Sequence, residues 1–287
     1  MATNLRNVLE ISLILFCIFL YYSYFCRMIF YFSGTGNTKW AAKHVAARLN
    51  EELKFIPDEL STGMTYTVNP GESIGFIIPV HGWRPPLLVR RFLSQCQFIH
   101  TDKVYTYIIY TAGDSIGKAV EIFENDLKHH GLTVDAALSL IMPESYVGLP
   151  FMDVDKVEKE KAKKLKAAEE LEAFVNDVIL PKKQDIRKVI KGPVPSFFSG
   201  PIGSFFVNRL ITDKRFHVDA DRCLQCGTCA SVCPVNDIEG GKGKMPSWKH
   251  NDQCLTCFSC YHHCPTHAIE FGRQTQKKGQ YYYNKNK

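Results

Sequence analysis

The chain of 287 residues lacks an apolar run of membrane length. Its N-terminal uncharged stretch, Ile11 to Cys26 between Glu10 and Arg27, is 16 residues long. As a helix it would reach about 24 Å, short of the ~30 Å hydrocarbon core. No small-x-small cleavage site follows it and no twin-arginine pair precedes it, which argues against a cleaved export signal. Extension to Val8, with Glu10 at the interface and Tyr21, Tyr22 and Tyr24 as interfacial aromatics, makes a short anchor over residues 8–26 one expectation. Translation from Met28 is the other, because only Arg27 separates the run from the first strand candidate. A charge excess calling for a polyanion is also missing. Of the net charge of +6, residues 28–180 hold 16 basic and 20 acidic side chains, residues 181–287 hold 17 and 8, and residues 1–27 supply the remaining +1. No nucleic-acid motif accompanies the basic half. Nucleic acid is therefore not an expected partner, and a membrane is one only if residues 1–27 are a real anchor.

Two nucleotide-binding signatures are missing as well. The turn Ser33-Gly34-Thr35-Gly36-Asn37-Thr38 has no Gly-Lys-Ser/Thr ending, so it is not a P-loop. Lys39 stands where a dinucleotide turn needs its third glycine. With no nicotinamide site visible, direct NAD(P)H oxidation is unsupported.

Cysteine is abundant and ordered. Eight of the eleven cysteines form two copies of one spacing: Cys223, Cys226, Cys229 and Cys233 before Pro234, and Cys254, Cys257, Cys260 and Cys264 before Pro265. The double C-x2-C-x2-C-x3-C-P run is the bacterial-type signature of two [4Fe–4S] clusters, in which the fourth cysteine of each run ligates the other cluster. The ligand sets read as Cys223, Cys226, Cys229 with Cys264, and Cys254, Cys257, Cys260 with Cys233. Zinc prefers separated pairs, often with histidine, and disulfides fit poorly with a chain that otherwise reads as cytoplasmic. His262, His263 and His267 flank a complete thiolate set and read as surface residues. Cys96, in an apolar-periodic helix, reads as a small buried hydrophobe. Two oxidised clusters with their thiolates carry about −4 and a phosphate monoester about −2, which would bring the loaded protein near neutrality.

The rest of the chain, at 45% hydrophobic residues, reads as a globular α/β domain over residues 28–180. Strand candidates lie at 28–33, 54–56, 73–80, 104–111 and 133–142, with helices at 38–49, 86–97 and 115–130 and a long charged helix at about 153–179. Apolar strand cores such as Ile74-Gly75-Phe76-Ile77-Ile78 imply burial on both faces, as in a helix-covered parallel sheet. The Ser33–Thr38 turn, between an apolar strand and a helix, has glycines that let the backbone present N–H groups and side chains that add donors. Such a turn suits a phosphate monoester. A doubly wound sheet binds its ligand at the carboxyl ends of its strands. That picks out two more loops: residues 80–86, with Trp83, and residues 111–115, with Ala112, Gly113 and Asp114. Trp83 reads either as a ring-stacking residue or as an aromatic capping the core.

The Ser33–Thr38 turn resembles the flavodoxin phosphate loop, Ser/Thr-x-Thr-Gly-Asn-Thr, which holds the FMN phosphate. Residues 28–38, the Ile141-Met142-Pro143-Glu144-Ser145-Tyr146 stretch and the two cysteine runs together resemble the fused flavodoxin–ferredoxin proteins ("ferrodoxins") of anaerobic bacteria and archaea. The resemblance spans roughly residues 28–272. It implies a flavodoxin-like doubly wound sheet of order 2-1-3-4-5 followed, at residues 217–273, by a small α+β two-cluster ferredoxin domain. It also implies FMN, its ring lying between Trp83 and the Ala112–Asp114 backbone with His81 near, and redox proteins as partners. His81 and Arg84 depart from the more aromatic, glycine-rich loop of the family, which bears on ring orientation. The expected activity is a relay between FMN and two [4Fe–4S] clusters. Its rivals are a flavin-dependent reductase fed by the clusters, with an acid such as Asp114 in reach, and an iron–sulfur carrier whose flavodoxin fold binds no flavin. Residues 181–216, basic and rich in phenylalanine, read as a joint that docks against the sheet domain. Residues 274–287 read as a solvated tail, and the charged helix as solvent-facing, with no site.

Overall fold

The computed structural model describes residues 28–60 and 64–285. The expected anchor over residues 8–26 lies outside them. Among the described residues no helix is long and apolar enough to cross a membrane.

Strands β1 (Met28–Tyr31), β2 (Glu52–Phe55), β3 (Ser73–Pro79), β4 (Tyr105–Ala112), β5 (Ala136–Ile141) and β6 (Ile186–Lys188) form one sheet. Their order is β2-β1-β3-β4-β5-β6, and every neighbouring pair is parallel. The crossover helices are α1 (Asn37–Leu49), α2 (Leu87–Gln95), α3 (Ala119–Leu127) and α4 (Val157–Phe174). All eight residues of β4 are buried, as a central strand covered on both faces must be. Successive side chains alternate between two cores. Phe30, Phe76, Ile108 and Tyr110 pack with Phe92 of α2 and Phe123 of α3. Ile29, Ile77, Tyr107 and Ile109 pack with Val45 of α1 and Leu171 and Phe174 of α4. Two helices thus cover each face, and the sheet's carboxyl edge is left to the loops.

The segment expected to be only a joint contributes β6. Its basic residues hid the strand, because an edge strand needs few apolar contacts. Ile186 is half-buried, while Arg187 pairs with Glu124 at 2.6 Å and donates to the carbonyl of Val134. Residues 195–210 follow as helical turns. Phe198 lies 4.7 Å from the Trp83 ring and Phe206 lies 5.2 Å from Tyr146. Ser199 is buried, donating from Oγ to the Trp83 carbonyl and accepting from the Lys118 N–H.

The cysteine-rich unit pairs β7 (Phe216–Val218) with β10 (Ile269–Phe271) and carries the hairpin β8 (Ile238–Gly241) and β9 (Lys244–Trp248), all antiparallel. Short helices α5 (Thr228–Ser231) and α6 (Ser259–His263) carry the third cysteine of each run, Cys229 and Cys260. Phe216, stacked on Trp248 at 5.4 Å, heads an aromatic core with Phe258, Tyr261 and Phe271. Val147 of the sheet domain is buried in that same core.

Two expectations fail here. The C-terminal segment is packed, not solvated: Thr275 and Tyr281 are 0% and 1% exposed. Lys278 Nζ donates to the carbonyls of Val147 and Leu149, and burial lowers its pKa. A tyrosine or threonine can be buried once its hydroxyl has a partner, so a polar composition did not mark a free end. His262 is likewise 1% exposed rather than on the surface.

Candidate functional site

The end of β1 turns at Gly36, whose φ of +99° suits glycine alone. Ser33 Oγ accepts from the Gly36 N–H at 3.2 Å, and the Trp40 N–H donates to the Gly36 carbonyl as α1 begins. Not every predicted donor is available. Thr38 Oγ1 is bonded to Thr111 Oγ1 at 2.7 Å, and Asn37 Nδ2 donates to the Pro143 carbonyl at 3.0 Å. Backbone N–H groups at a helix N-terminus, with the Ser33 and Thr35 hydroxyls, are what the turn can offer an anion.

This turn forms one wall of a cleft of about 1040 Å³, its mouth included. Ser33, Gly34, Thr35, Asn37, Thr38, Trp83, Ala112, Gly113 and Asp114 all line it, whereas Gly36 faces away, against Tyr283. Trp83 is half-buried, its Nε1–H donating to Ser115 Oγ at 3.2 Å while its ring rests on Phe198. The Asp114 carboxylate is turned onto its own loop, accepting from the N–H and hydroxyl of Ser115. His81 has a buried Nδ1 with no partner, and burial lowers its pKa to about 4, so the ring is neutral.

One cleft group, Glu144, and one lysine bonded to the cleft wall, Lys163, escaped sequence reasoning. Glu144 Oε1 accepts from the N–H groups of Ser145 and Tyr146 at 2.9 and 2.8 Å. Its Oε2 occupies the space a side chain at position 113 would need, 2.1 Å from that Cβ. Burial raises the Glu144 pKa against the pull of those donors and of Lys163. Lys163, on the helix to which no site was assigned, donates to the Gly113 carbonyl at 2.9 Å and pairs with Asp155 at 2.6 Å. Glu144 lies in the Met142–Tyr146 stretch that carried the family resemblance. For Lys163 no local signal distinguishes one lysine among many.

The cysteines gather into the two sets read from their spacing. Cys223, Cys226, Cys229 and Cys264 line one small cavity; Cys233, Cys254, Cys257 and Cys260 line another. Backbone N–H groups donate to sulfur at equivalent places in both runs. Gln225 and Thr256 serve Cys223 and Cys254 at 3.4 Å, and Asp237 and Ala268 serve Cys233 and Cys264 at 3.3 and 3.1 Å. Such bonds hold thiolates and set cluster potentials. Burial pushes the Cys257 thiol up to about 12 and Cys229 to about 11, and raises Cys254 and Cys260 further. Iron must therefore displace these protons on binding. Cys226 is exposed, and its hydrogen bond with Thr228 lowers its pKa. Among the described residues no three His, Cys, Asp or Glu side chains converge as the ligands of a single metal ion would.

The cleft and one cavity share a wall. Leu255 and Cys257 line both, and a Cβ on Gly34 would stand 2.8 Å from Cys257 Cβ. A side chain at position 34 would push the two units apart. Phe206 from the joint closes another side of the cleft.

Comparison with known proteins bears on the C-terminal unit. The family model for the 4Fe-4S dicluster domain matches residues 215–265. Over 28 residues the chain is 54% identical to a ferredoxin of Megasphaera elsdenii and 50% identical to one of Thermoanaerobacterium thermosaccharolyticum, 10% of this chain in each case. It spans about half the length of those ferredoxins, 52% and 51%. Among solved structures, a Bacteroides uniformis protein assigned as a flavoprotein is 18% identical over 40% of this chain and 90% of its own, with a TM-score of 0.28. Rubredoxin oxygen:oxidoreductase from the anaerobe Desulfovibrio gigas is 16% identical over 51% and 36%, with a TM-score of 0.27. Residues 215–265 thus form a 4Fe-4S dicluster domain, placed beside a parallel α/β sheet whose loops shape a cleft.

Proposed function

We propose that the protein is an electron carrier relaying between an FMN in the cleft and two [4Fe–4S] clusters in the cysteine cavities. The observation that carries this reading is Cys257, which lines both the cleft and the cavity of Cys233, Cys254 and Cys260. Residues 33–38 would hold the phosphate, and Trp83 and the 112–114 backbone would flank the ring. The unpartnered His81 Nδ1 in the cleft fits a ligand with polar ring atoms. Bound flavin supplies a centre that takes one or two electrons, and each cluster takes one. The chain's own work is to hold the phosphate, exclude water with Tyr146, Phe206 and Leu255, and keep the inner cysteine set against the cleft. Cys226, exposed on the other set, would serve exchange with a redox protein.

A reductase acting on a substrate over the ring is disfavoured. The Asp114 carboxylate is spent on Ser115, and the cleft is walled by the cysteine-rich unit. Anaerobically purified protein should contain about eight irons and release one FMN on acid treatment. Cluster absorption with no acid-releasable flavin would sink the relay and leave the flavin-free iron–sulfur carrier.

A further inference from the structure

Four hydrogen bonds join the phosphate loop, the loop after β5, helix α6 and the C-terminal segment into a closed ring. Asn37 Nδ2 donates to the Pro143 carbonyl at 3.0 Å. Two residues on, the Ser145 carbonyl lies 2.7 Å from His262 Nε2. His262 Nδ1 accepts from the Tyr281 N–H at 3.0 Å. That fixes the neutral tautomer, because a backbone N–H can only donate, and it leaves Nε2–H to donate to Ser145. Tyr281 Oη then donates to Asn37 Oδ1 at 2.6 Å, closing the ring 244 residues from where it began. Asn37, His262 and Tyr281 are 8%, 1% and 1% exposed, so water competes little for these bonds.

The C-terminal segment grips the turn at a second point. The Tyr283 N–H donates to the Thr35 carbonyl at 2.9 Å, and its Cβ lies 3.0 Å from where a Cβ on Gly36 would be. The Tyr283 ring stacks on Trp40 at 5.3 Å, and Lys164 Nζ lies over both the Tyr281 and Tyr283 rings. Both functional groups of the Asn37 amide and the Thr35 carbonyl are therefore held by protein partners, the Asn37 Oδ1 and the Thr35 carbonyl by the C-terminal segment. Ser33, Gly34, Thr35, Asn37 and Thr38 of the turn still line the cleft.

We propose that Tyr281 is a positioning residue for the phosphate loop: the C-terminal segment completes the anion site from the far side without touching the ligand. The proposal rests on the flavin reading for the identity of the ligand, but not for the geometry. A group that orders only the turn should matter for a ligand's phosphate and not for its ring. In full-length, cluster-loaded protein stripped of flavin, Tyr281→Phe should weaken FMN binding about ten-fold, the equivalent of one hydrogen bond. Riboflavin, which lacks the phosphate, should bind within two-fold of the unaltered chain, with iron content unchanged. In an Asn37→Ala background the same change should add nothing to the loss of FMN affinity, since the hydrogen bond between the two residues is already gone. Unchanged FMN affinity, equal losses for FMN and riboflavin, or additive effects of the two substitutions would each overturn the proposal. If the unaltered protein binds neither flavin, the cofactor reading fails, and amide hydrogen exchange of residues 33–38 decides the positioning claim. Exchange there should be faster in Tyr281→Phe, and equal rates would overturn it.

Discussion

Gly75 owes its identity to a neighbour. A Cβ there would lie 2.4 Å from Cζ and Oη of Tyr107, a buried ring whose hydroxyl donates to Glu51 Oε2 at 3.0 Å. Neither group has room to retreat, so Gly75→Ala should destabilise the protein by ~1–3 kcal/mol, read from anaerobic urea unfolding. An unchanged midpoint would refute this account of the packing. His81 gives a pH prediction. Its folded pKa, about 4, lies below the ordinary 6.5, so the unfolded chain binds the proton first. Its contribution is constant above pH 6.5, and stability is lost as pH falls from 6.5 towards 4. His81→Asn should flatten the urea midpoint over that window; an unaltered slope would place the acid sensitivity elsewhere. At this scale the cysteine sets could be read directly, because ligand geometry constrains local spacing. Glu144 and Tyr281 could not, since each acts through partners distant in sequence or through backbone atoms.

Among the elements, α4 differs most from its sequence pattern. Its lysines and glutamates look like a solvated face, and Lys166 with Glu170 is just that. Lys163, one turn away, instead ties the helix to the loop after β4 through Gly113 and to Asp155, whose side chain is 6% exposed. Burial raises the Asp155 pKa, but its bonds to Lys159 and Lys163 outweigh that and the net shift is downward. A depressed carboxylate contributes stability above its unfolded pKa and loses it as pH falls through the folded value. Lys163→Met should therefore cost ~1–3 kcal/mol at neutral pH, with the difference narrowing below the ordinary carboxylate range to what the Gly113 bond contributes. A difference undiminished in acid would show that the ion pair with Asp155 is not responsible. Strand β6 was hidden for a related reason, since its exposed Arg187 and Lys188 are what an edge position tolerates.

For the whole molecule, the decisive fact is how little of it is separable. The fourth cysteine of each run lines the cavity of the other, Val147 is buried in the cysteine-rich core, and residues 255–257 wall the cleft. Cys264→Ser should therefore lose iron from both sites rather than one, leaving fewer than four irons per chain by chemical assay. Retention of four, with an intact single-cluster EPR signal, would show that the cavities load independently. The division into a sheet half and a cysteine half was legible from strand periodicity and cysteine spacing. The seam between them was not, because its contacts pair residues more than 100 positions apart.

The hydrogen bond from Tyr281 to Asn37 also sets a timetable. Tyr281 leaves the ribosome 244 residues after Asn37, roughly 12–50 s later at ~5–20 residues per second. Throughout that interval the nascent turn lacks its rear support. Full ordering of the turn therefore waits until both cysteine runs have emerged.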